Sequence, residues 1–356
     1  MGINETLRDL AIRHQTYLYR LATGTAAQVN ELLRQVEGDL VAQIAKYDPT
    51  EASGYSLTRL NKMLAAIKEI NAANYQEVRD FLEQNLMDLS KYEAEFQDKQ
   101  LSGELPADWP LAQPTVKALE SIVTTEPIQG RLFGEWMDGL EAGTLDKITQ
   151  AIRIGLTEGE TIDQLAQRLR GTKALQYNDG ILGITRRWAE SVVRTATSHV
   201  TNAAKEAVYE ANSDVIDRVQ WHATLDTSTC LDCADLDGET WPVGDDHEEP
   251  PHHINCRCVI VPVTVSYEDL GIPVSEISAG TRASMNGQVS SSITYPEWLK
   301  GQPRSVVNEA LGVGKAKLFI DGKLKIGAFT DRTGHAYTLD QLRTREAAAF
   351  AKAGLD

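Results

Sequence analysis

The sequence has few cysteines, no long apolar run and no excess of positive charge, and each shortage excludes a class of protein. A transmembrane helix needs roughly 18 or more consecutive apolar residues, and no such run occurs. The chain starts MGINETLRDLAIRHQ, without the apolar core of a signal peptide, so we expect no export. A formal net charge of −16 argues against a general nucleic-acid coat, which needs a basic surface. With 42% hydrophobic and 24% charged residues, the 356-residue chain can form sizeable cores.

The four cysteines are bunched between Cys230 and Cys258, whereas cysteines scattered through a core would be spread along the chain. They form Cys230-x-x-Cys233 and Cys256-x-Cys258, and thiolates at such spacings can reach one ion. His253 lies just before the second pair. Thiolates and imidazole in a closed tetrahedron are ligands that zinc prefers, so the sequence predicts a structural zinc site. The ion would hold a loop of about 20 mostly acidic residues between two strands and stabilise a motif with a tiny core.

The sequence leaves the ligand set open, because five candidates compete for four positions: Cys230, Cys233, His253, Cys256 and Cys258. One set is the four cysteines, and in the other His253 replaces Cys258. We expect the neighbouring His252 to point elsewhere and His247, in the acidic stretch DDHEEPP, to be exposed. A disulfide knot is the main alternative to zinc, but no export signal suggests an oxidising compartment. Free structural thiols are the other alternative.

An enzymatic interpretation of the same segment is a metal-dependent nuclease. Cys-x-x-Cys followed by His-His and Asn255 faintly resembles an HNH nuclease, which needs a helix after the asparagine. Here the strand-like CRCVIVPVTV follows instead. Asp226, Asp235 and Asp237 are candidates for a hard cation, although acids near a turn usually face water.

Apolar residues at three- and four-residue steps predict helices through most of the first two thirds of the chain. We expect a first helix broken at Gly24-Thr25, a second to about Tyr47 ended by Pro49 and Ser53-Gly54, and a long third from Ser56 to about Gln97. Proline and glycine mark a linker at 103–114. Further helices are predicted at 115–123, 129–141, 145–155 with Thr144 as N-cap, after Thr161, and at 181–213.

From about residue 218 the pattern changes to strands, with RVQWHATL and CVIVPVTV on either side of the cysteines. We expect a loop at 276–294, short helices around 296–310 and 339–345, and a hairpin in AKLFIDGKLKIGAF that turns at Asp321-Gly322. The predicted fold class is α+β, predominantly α-helical. Its regions are 1–105 (N-terminal helices), 106–218 (further helices), 219–266 (the Cys/His metal knot with strands, hereafter the knot) and 267–356 (a small α+β module and tail).

Charge is unevenly divided between these regions. Residues 226–257 hold nine acids and one arginine, a net −8, which is half of the total deficit. Residues 299–345 hold nine Lys/Arg against four acids, a net +5. An acidic knot before a basic module suggests contact with a polyanion or an acidic surface; the plainer alternative is a solvated surface.

In combination, motifs between about 144 and 263 resemble the Mu F-like head morphogenesis family of phage minor head proteins. They are Gly159-Glu-Thr-Ile-Asp-Gln-Leu-Ala166, Leu169-Arg170, Arg194-Thr195, Trp221-His-Ala-Thr-Leu-Asp226, Thr229-Cys-Leu-Asp-Cys233, Leu236-Asp-Gly238 and Pro250-Pro-His-His-Ile-Asn-Cys-Arg-Cys258. Where the family commonly has a proline after the histidine, this chain has Ile254. A second stretch, from Tyr295-Pro-Glu-Trp298 to Leu311-Gly312, resembles a module often attached in such proteins.

The resemblance implies a non-enzymatic minor capsid protein of a tailed phage, present in several copies in the virion at the head or portal vertex, and in the host cytoplasm during assembly. Implied partners are the portal protein and the scaffold or major capsid protein, with no membrane. Phage DNA is a further candidate partner, through the basic C-terminal module, during packaging or ejection. The main alternative is a metal-dependent nuclease or toxin-like effector delivered with the virion. Arg194 is either functional or a helix residue bonded to the acidic knot.

Overall fold

In the computed structural model, residues 3–46, 57–106, 109–266 and 280–355 are described. The chain is 66% helical with small antiparallel sheets, which confirms the predicted fold class. None of the helices in these ranges combines the length and apolarity that crossing a membrane requires.

Long helices form the first two thirds of the chain: α1 (Ile3–Ala45), α2 (Leu57–Glu104), α3 (Val116–Thr125), α4 (Phe133–Glu158), α5 (Ile162–Arg170), a 3-10 turn (Lys173–Leu175) and α6 (Ile181–Ala211). The helices α1, α2 and α6 pack on one another, and the largest apolar cluster joins them to α3, α4 and the first strand. A second cluster fills the other end of the bundle, between α1, α2, α4, α5 and α6. The predicted capping box at Thr161 is present, because Thr161 Oγ1 accepts from Gln164 N and the Gln164 side chain accepts from Thr161 N.

A three-stranded antiparallel sheet follows α6, in the order β2-β1-β3. Its strands are β1 (Ile216–His222), β2 (Thr240–Pro242) and β3 (Val259–Thr264). Both strands predicted around the cysteines are present, and they pair with Trp221 opposite Ile260. The short helix α7 (Leu231–Leu236) lies between β1 and β2.

The C-terminal module contains a hairpin and small helices: β4 (Thr281–Ser284), β5 (Gly287–Ser290), α8 (Tyr295–Lys300), α9 (Arg304–Leu311), α10 (Val313–Ile320), a 3-10 turn (Ile326–Phe329), α11 (Leu339–Arg345) and α12 (Ala347–Ala353). Its apolar cluster includes Trp298, Phe319 and Phe329 and also takes in Leu225 and Ala234 of the knot. The module is therefore packed directly on the knot.

The predicted break at Gly24-Thr25 is wrong, because α1 runs through it without interruption. Gly24 is exposed, and a Cβ there would meet nothing within 4 Å, while Ala22 and Ala26 on either side are buried. Burial along the whole helix outweighs the roughly 1 kcal/mol that one exposed glycine costs. The predicted helix end near Tyr47, Pro49 and Ser53-Gly54 and the helix start at Ser56 lie outside the described residues.

The prediction of two helices at 129–141 and 145–155, with Thr144 as the N-cap of the second, is also wrong, because the single helix α4 runs from one into the other. Thr144 lies inside α4, and its hydroxyl is 2.8 Å from Tyr75 OH on α2 instead of capping a helix end. A threonine in a helix interior can thus satisfy its hydroxyl through a neighbouring helix, and sequence pattern alone does not distinguish this from a cap.

The hairpin predicted at Asp321-Gly322 is wrong as well, since α10 ends there. The N–H groups of Asp321 and Gly322 both donate to Lys317 O, at 2.8 and 3.0 Å, and so close the end of the helix. A Cβ on Gly322 would come within 2.7 Å of Ala349 O, so the glycine permits a close approach of α12. The Asp-Gly pair serves as a helix end in this chain.

The described part of the predicted loop at 276–294 contains the β4–β5 hairpin, and residues 276–279 lie outside the described residues. The two strands pair from Thr281 with Ser290 to Ser284 with Gly287, so Met285 and Asn286 form the turn. Gly287 has a φ of 113°, which only glycine adopts readily. The predicted loop is therefore wrong over 281–290, where the prediction overlooked Asn286-Gly287 as a turn signal.

Candidate metal centre

The knot is built on the buried end of β1. Trp221 is fully buried there and packs in one small cluster with Cys233, Cys256 and Cys258. Because β1 and β3 pair antiparallel, the end of β1 lies beside the start of β3, so the chain leaves and re-enters the sheet at the same end of the strands. The topology therefore brings the two halves of the cysteine segment together.

A helix N-terminus positions the first pair of cysteines. Cys230 is the N-cap of α7, and its Sγ accepts a hydrogen bond from Cys233 N at 3.4 Å. Cys233 follows in the first turn and is buried, whereas Cys230 is half-buried. The cap places both sulfur atoms on the same side of the helix.

The structure brings all five predicted ligands together. The ligand atoms of Cys230, Cys233 and His253 lie within 4.8 Å of one another, and so do the sulfur atoms of Cys233, Cys256 and Cys258. Cys233 belongs to both groups, at the centre of the cluster. These residues could hold a metal ion.

The spacing of two of the sulfur atoms fits a shared soft cation. Cys233 Sγ and Cys256 Sγ are 3.8 Å apart, and all four cysteines are free thiols. Two thiolates on one tetrahedral zinc, each about 2.3 Å from the ion, are separated by about 3.8 Å. A disulfide would bring the two sulfur atoms to about 2.05 Å.

His253 is oriented as a metal ligand needs to be. Its Nδ1 donates to Ile254 O at 2.9 Å, so Nε2 is the nitrogen that would bind a metal, after releasing its proton. The hydrogen bond with the Cys230 sulfur raises the pKa of His253 to about 9, against the opposing effect of burial.

The cysteine sulfur atoms share protons unequally. The hydrogen bond from Cys233 lowers the pKa of the Cys230 thiol to about 4, and hydrogen bonds from Cys233 and Cys258 lower that of Cys256 to about 2. The same bonds raise the pKa of Cys233, which acts as the donor. Cys230 and Cys256 thus favour the thiolate, the form in which cysteine binds metal. Cys233 and Cys258, whose pKa values are raised, would instead release protons on binding.

His252 and His247, the other two histidines between Cys233 and Cys256, do not join the cluster. His252 pairs with Asp232, and its Nδ1 is 3.2 Å from Glu248 Oε2, as expected for a residue that points elsewhere. The expectation that His247 is exposed is wrong. Its side chain is only 5% exposed, because it packs on Trp241 and places Nε2 3.3 Å from Glu206 Oε1 on α6.

Polar groups of α6 attach the knot to the helical bundle. Asn255 N donates to Thr195 Oγ1 at 3.0 Å, and Asn202 Oδ1 accepts from Ile260 N at 3.3 Å. Asn255 has a positive φ of 60° in the turn before Cys256, a conformation that asparagine tolerates better than most residues. The family-like Arg-Thr pair thus contributes its threonine to the knot.

Arg194 makes no bond to an acid of the knot in the described parts of the chain, contrary to one of its two predicted roles. Its ion-pair partner is Glu190, one turn earlier on α6, with Nη2 and Oε2 3.7 Å apart. Arg194 instead lines a cavity beside His253 and Cys256.

The three aspartates proposed for a hard cation do not share a site, because each is bound to a different partner. Asp226 forms a bidentate ion pair with Arg257, and Asp237 forms one with Arg282. Asp235 accepts a hydrogen bond from the Gly327 backbone and does not join them. With their oxygens engaged in this way, these carboxylates offer no common cation site.

Sequence reasoning missed a buried charged cluster in the bundle. Glu93 on α2 and Lys205 on α6 are fully buried with Nζ 3.8 Å from Oε1, and His14 Nε2 on α1 lies 2.7 Å from Glu93 Oε2. Burial opposes the charge on Glu93, but Lys205 and His14 outweigh it and lower its pKa. The available signal was the apolar stripe of α2, which Glu93 and Gln97 continue without a break in helical period.

One comparison with known proteins gives a match. Residues 146–261 match the family model described as Phage Mu protein F like protein, which confirms the resemblance predicted over about the same range. The matched segment extends from α4 through α6 and the knot to β3 and is about a third of the chain. No curated protein and no solved structure matches.

Proposed function

Because residues 146–261 form a phage Mu protein F like segment, and that family is a structural family of phage head morphogenesis, we propose that the chain is a minor head protein of a tailed phage. It joins the portal vertex during procapsid assembly and remains with the virion. The observation that supports this role most directly is the family match, which covers both the knot and the helix α6 that holds it.

The four predicted regions then have different tasks. The N-terminal helices, residues 1–105, provide contacts to the portal, scaffold or major capsid protein. Residues 106–218 carry the knot, residues 219–266, whose acidic loop is a rigid docking surface. Exposed tyrosines on the long helices, Tyr17 and Tyr92, support a contact role because large aromatic side chains favour protein interfaces.

The metal in the knot is zinc, bound by four of Cys230, Cys233, His253, Cys256 and Cys258. The buried thiols, the half-buried imidazole and the 3.8 Å sulfur spacing all suit a closed tetrahedral site. Bound there, the ion supplies a structural crosslink and no open coordination position for chemistry. Trp221 and Asn255 hold the two halves of the ligand set in place through β1 and α6.

Substitution of His253, with its neighbour His252 as the control, distinguishes the ligand set of four cysteines from the set that includes His253. His253→Ala should reduce the zinc content of purified, reduced protein to well below one equivalent, whereas His252→Ala should not, because His252 is bound to acids outside the cluster. Zinc is measured by mass spectrometry on protein prepared without chelator. Full zinc content in both variants would assign the four cysteines as ligands, and less than half an equivalent in the wild type would contradict the zinc site.

Portal association is tested by co-expressing the chain with the portal and scaffold proteins of its own phage. We expect it to sediment with portal rings or procapsids in a gradient, and a Tyr17→Ala/Tyr92→Ala variant, changed at exposed side chains of the long helices, to sediment with them less. A full-length chain that stays at the top while procapsids assemble would contradict the portal role.

A second contact is supported by the charge of the C-terminal module. Eight of its cations are exposed: Lys300, Arg304, Lys323, Lys325, Arg332, Arg343, Arg345 and Lys352. They give an otherwise acidic chain a local site for DNA phosphates. Binding to duplex DNA should fall steeply with salt and be lost in Lys323→Glu/Lys325→Glu but not in Lys62→Glu/Lys68→Glu on α2. Equal loss in both variants would attribute the binding to net charge alone.

A further inference from the structure

A cavity of about 400 Å³ lies between α1, α6 and the knot. Two arginines, Arg194 and Arg257, line it, together with hydroxyl groups from α1, α6 and the knot. No aspartate or glutamate lines this cavity among the described residues, although the chain as a whole carries a net charge of −16. Cys256, a candidate metal ligand, also lines the pocket, so the attraction for an anion must come from the two arginines.

Arg194 has unused hydrogen-bonding capacity toward such a ligand. Its Nη2 lies 3.7 Å from Glu190 Oε2, a separation too long for a hydrogen bond. The other carboxylate oxygen of Glu190 already accepts from Asn30 Nδ2 at 2.6 Å. An oxyanion in the cavity would accept from the Nη groups of Arg194, which form no hydrogen bond within the described chain.

The remaining wall supplies donors around the same space. Thr197 and Ser198 are buried on α6, and Ser228 lies across the cavity from them on the knot. Within the described chain, neither the Thr197 nor the Ser228 hydroxyl donates a hydrogen bond to another protein group. Arg257 contributes less charge, because both of its Nη atoms are bound to Asp226.

We propose that this cavity is a binding site for a phosphate group, with Arg194 as its principal charged contact. A phosphate has oxygens in several directions and can meet the guanidinium and the dispersed hydroxyl groups together, whereas a carboxylate has only two oxygens in one plane. The volume leaves room for what the phosphate is attached to. The site does not depend on the proposed portal role.

The test is phosphate-dependent stability of the full-length, metal-loaded protein. Potassium phosphate should raise the melting temperature above that in potassium chloride of equal ionic strength, for the wild type and for Arg187→Gln. Arg187 is a matched control on α6, because it is exposed and does not line the cavity. In Arg194→Gln the shift should disappear, with phosphate bound about tenfold more weakly or worse.

Other outcomes are equally informative. Equal shifts in Arg194→Gln and the wild type, or an equal shift with acetate, would overturn the proposal. A shift with a short oligonucleotide but not with inorganic phosphate, dependent on Arg194, would support the site and identify nucleic acid as the source of the phosphate. If Arg194→Gln does not fold, Thr197→Val removes one hydroxyl from the wall and should still weaken phosphate binding severalfold, whereas unchanged binding would count against the site.

Discussion

At the scale of single residues, the pair of Asp237 and Arg282 joins the knot to the C-terminal module. Both side chains are almost completely buried, and Arg282 donates to both oxygens of Asp237 at 3.0 and 3.1 Å. Asp237 also accepts from the N–H groups of Ala223 and Tyr295, so each of its oxygens has two partners. A buried ion pair of this kind is costly to break because either partner alone would remain charged and uncompensated.

Asp237→Asn should therefore destabilise the protein by about 3–5 kcal/mol, because Arg282 would lose its counter-charge in a site without water. Urea or thermal denaturation measures the change. Asp340→Asn is the control, since Asp340 is 94% exposed on α11 and should change stability by less than about 0.5 kcal/mol. A loss below about 1 kcal/mol for Asp237→Asn would show that the pair is hydrated in solution.

His247 and Glu249 make the attachment of the acidic loop depend on pH. The hydrogen bond with Glu206 raises the pKa of His247 to about 9 from 6.5, against the effect of burial. Burial and repulsion from Glu206 raise the pKa of Glu249 to about 7 from 4.5. In both cases the folded protein binds the proton more tightly than the unfolded chain, so both contributions favour folding at low pH and are lost as the pH rises.

Stability should fall by roughly 1–2 kcal/mol between pH 6 and pH 9 through these two groups, after allowance for solvent screening. Glu206→Gln should flatten this part of the stability profile, because it removes the partner of His247 and the repulsion on Glu249. Glu210→Gln, exposed one turn further along α6, should leave the slope unchanged. If the stability of Glu206→Gln fell with pH in parallel with that of the wild type, Glu206 would not be the cause of the pH dependence.

At the scale of elements, α1 shows how a helix can pass through a residue that usually interrupts it. Gly24→Ala should stabilise the protein by about 0.5–1 kcal/mol, since the new methyl group has free space and the unfolded chain loses freedom. Gly159→Ala should do the opposite, because Gly159 ends α4 with a φ of 74°. Thermal denaturation of both variants measures this, and a destabilising Gly24→Ala would place a helix break at that residue.

The sequence predicts helices and strands well where the local residue pattern fits only one of the two. The helices α2 and α6 have regular apolar faces, and β1 and β3 are rich in β-branched residues. The bounds of α6, β1 and β3 lie within a few residues of the prediction, while α2 continues to Glu104, past the predicted end at Gln97. The prediction fails at α10, where Leu318 and Phe319 are adjacent apolar residues before Asp-Gly, a pattern that both a strand and a helix end satisfy. Contacts with α12 decide this case, and they are not visible in local sequence.

The composition of the candidate site was predictable from cysteine spacing, but its surroundings were not. Short-range spacing brings Cys230 to Cys233 and Cys256 to Cys258, and strand pairing brings the two pairs together. The partners of the aspartates were not predictable, since Arg282 lies 45 positions from Asp237 and beyond residues with no distinctive pattern. Long-range ion pairs of this kind depend on how the module docks.

At the scale of the whole molecule, the knot is shared by two cores. Cys230 and Cys233 of α7 face the candidate metal centre, while Leu231 and Ala234 of the same helix pack in the cluster of the C-terminal module. Tyr295 OH also donates to Asp226 O at 2.9 Å across this boundary. One turn of helix thus connects the ligand cluster to the last quarter of the chain.

Removing the metal with a chelator should therefore loosen the C-terminal module more than the helical bundle. Hydrogen exchange should accelerate severalfold or more in β4, β5 and α8, with little change in α2, which lies in a different core. Adding zinc back should restore the original rates. Uniform acceleration along the chain, or none in the module, would show that α7 does not couple the two.

The buried charged cluster in the bundle makes Lys205 a chemical reporter. Its ammonium group has no exposed surface, whereas lysines elsewhere in the described chain reach solvent. A reagent that acylates amines in water would modify those lysines and leave this one intact while α1, α2 and α6 stay packed. Any assembly step that separates these helices would expose Lys205. The mass that the reagent adds to the Lys205 peptide would show at which stage of assembly the separation occurs.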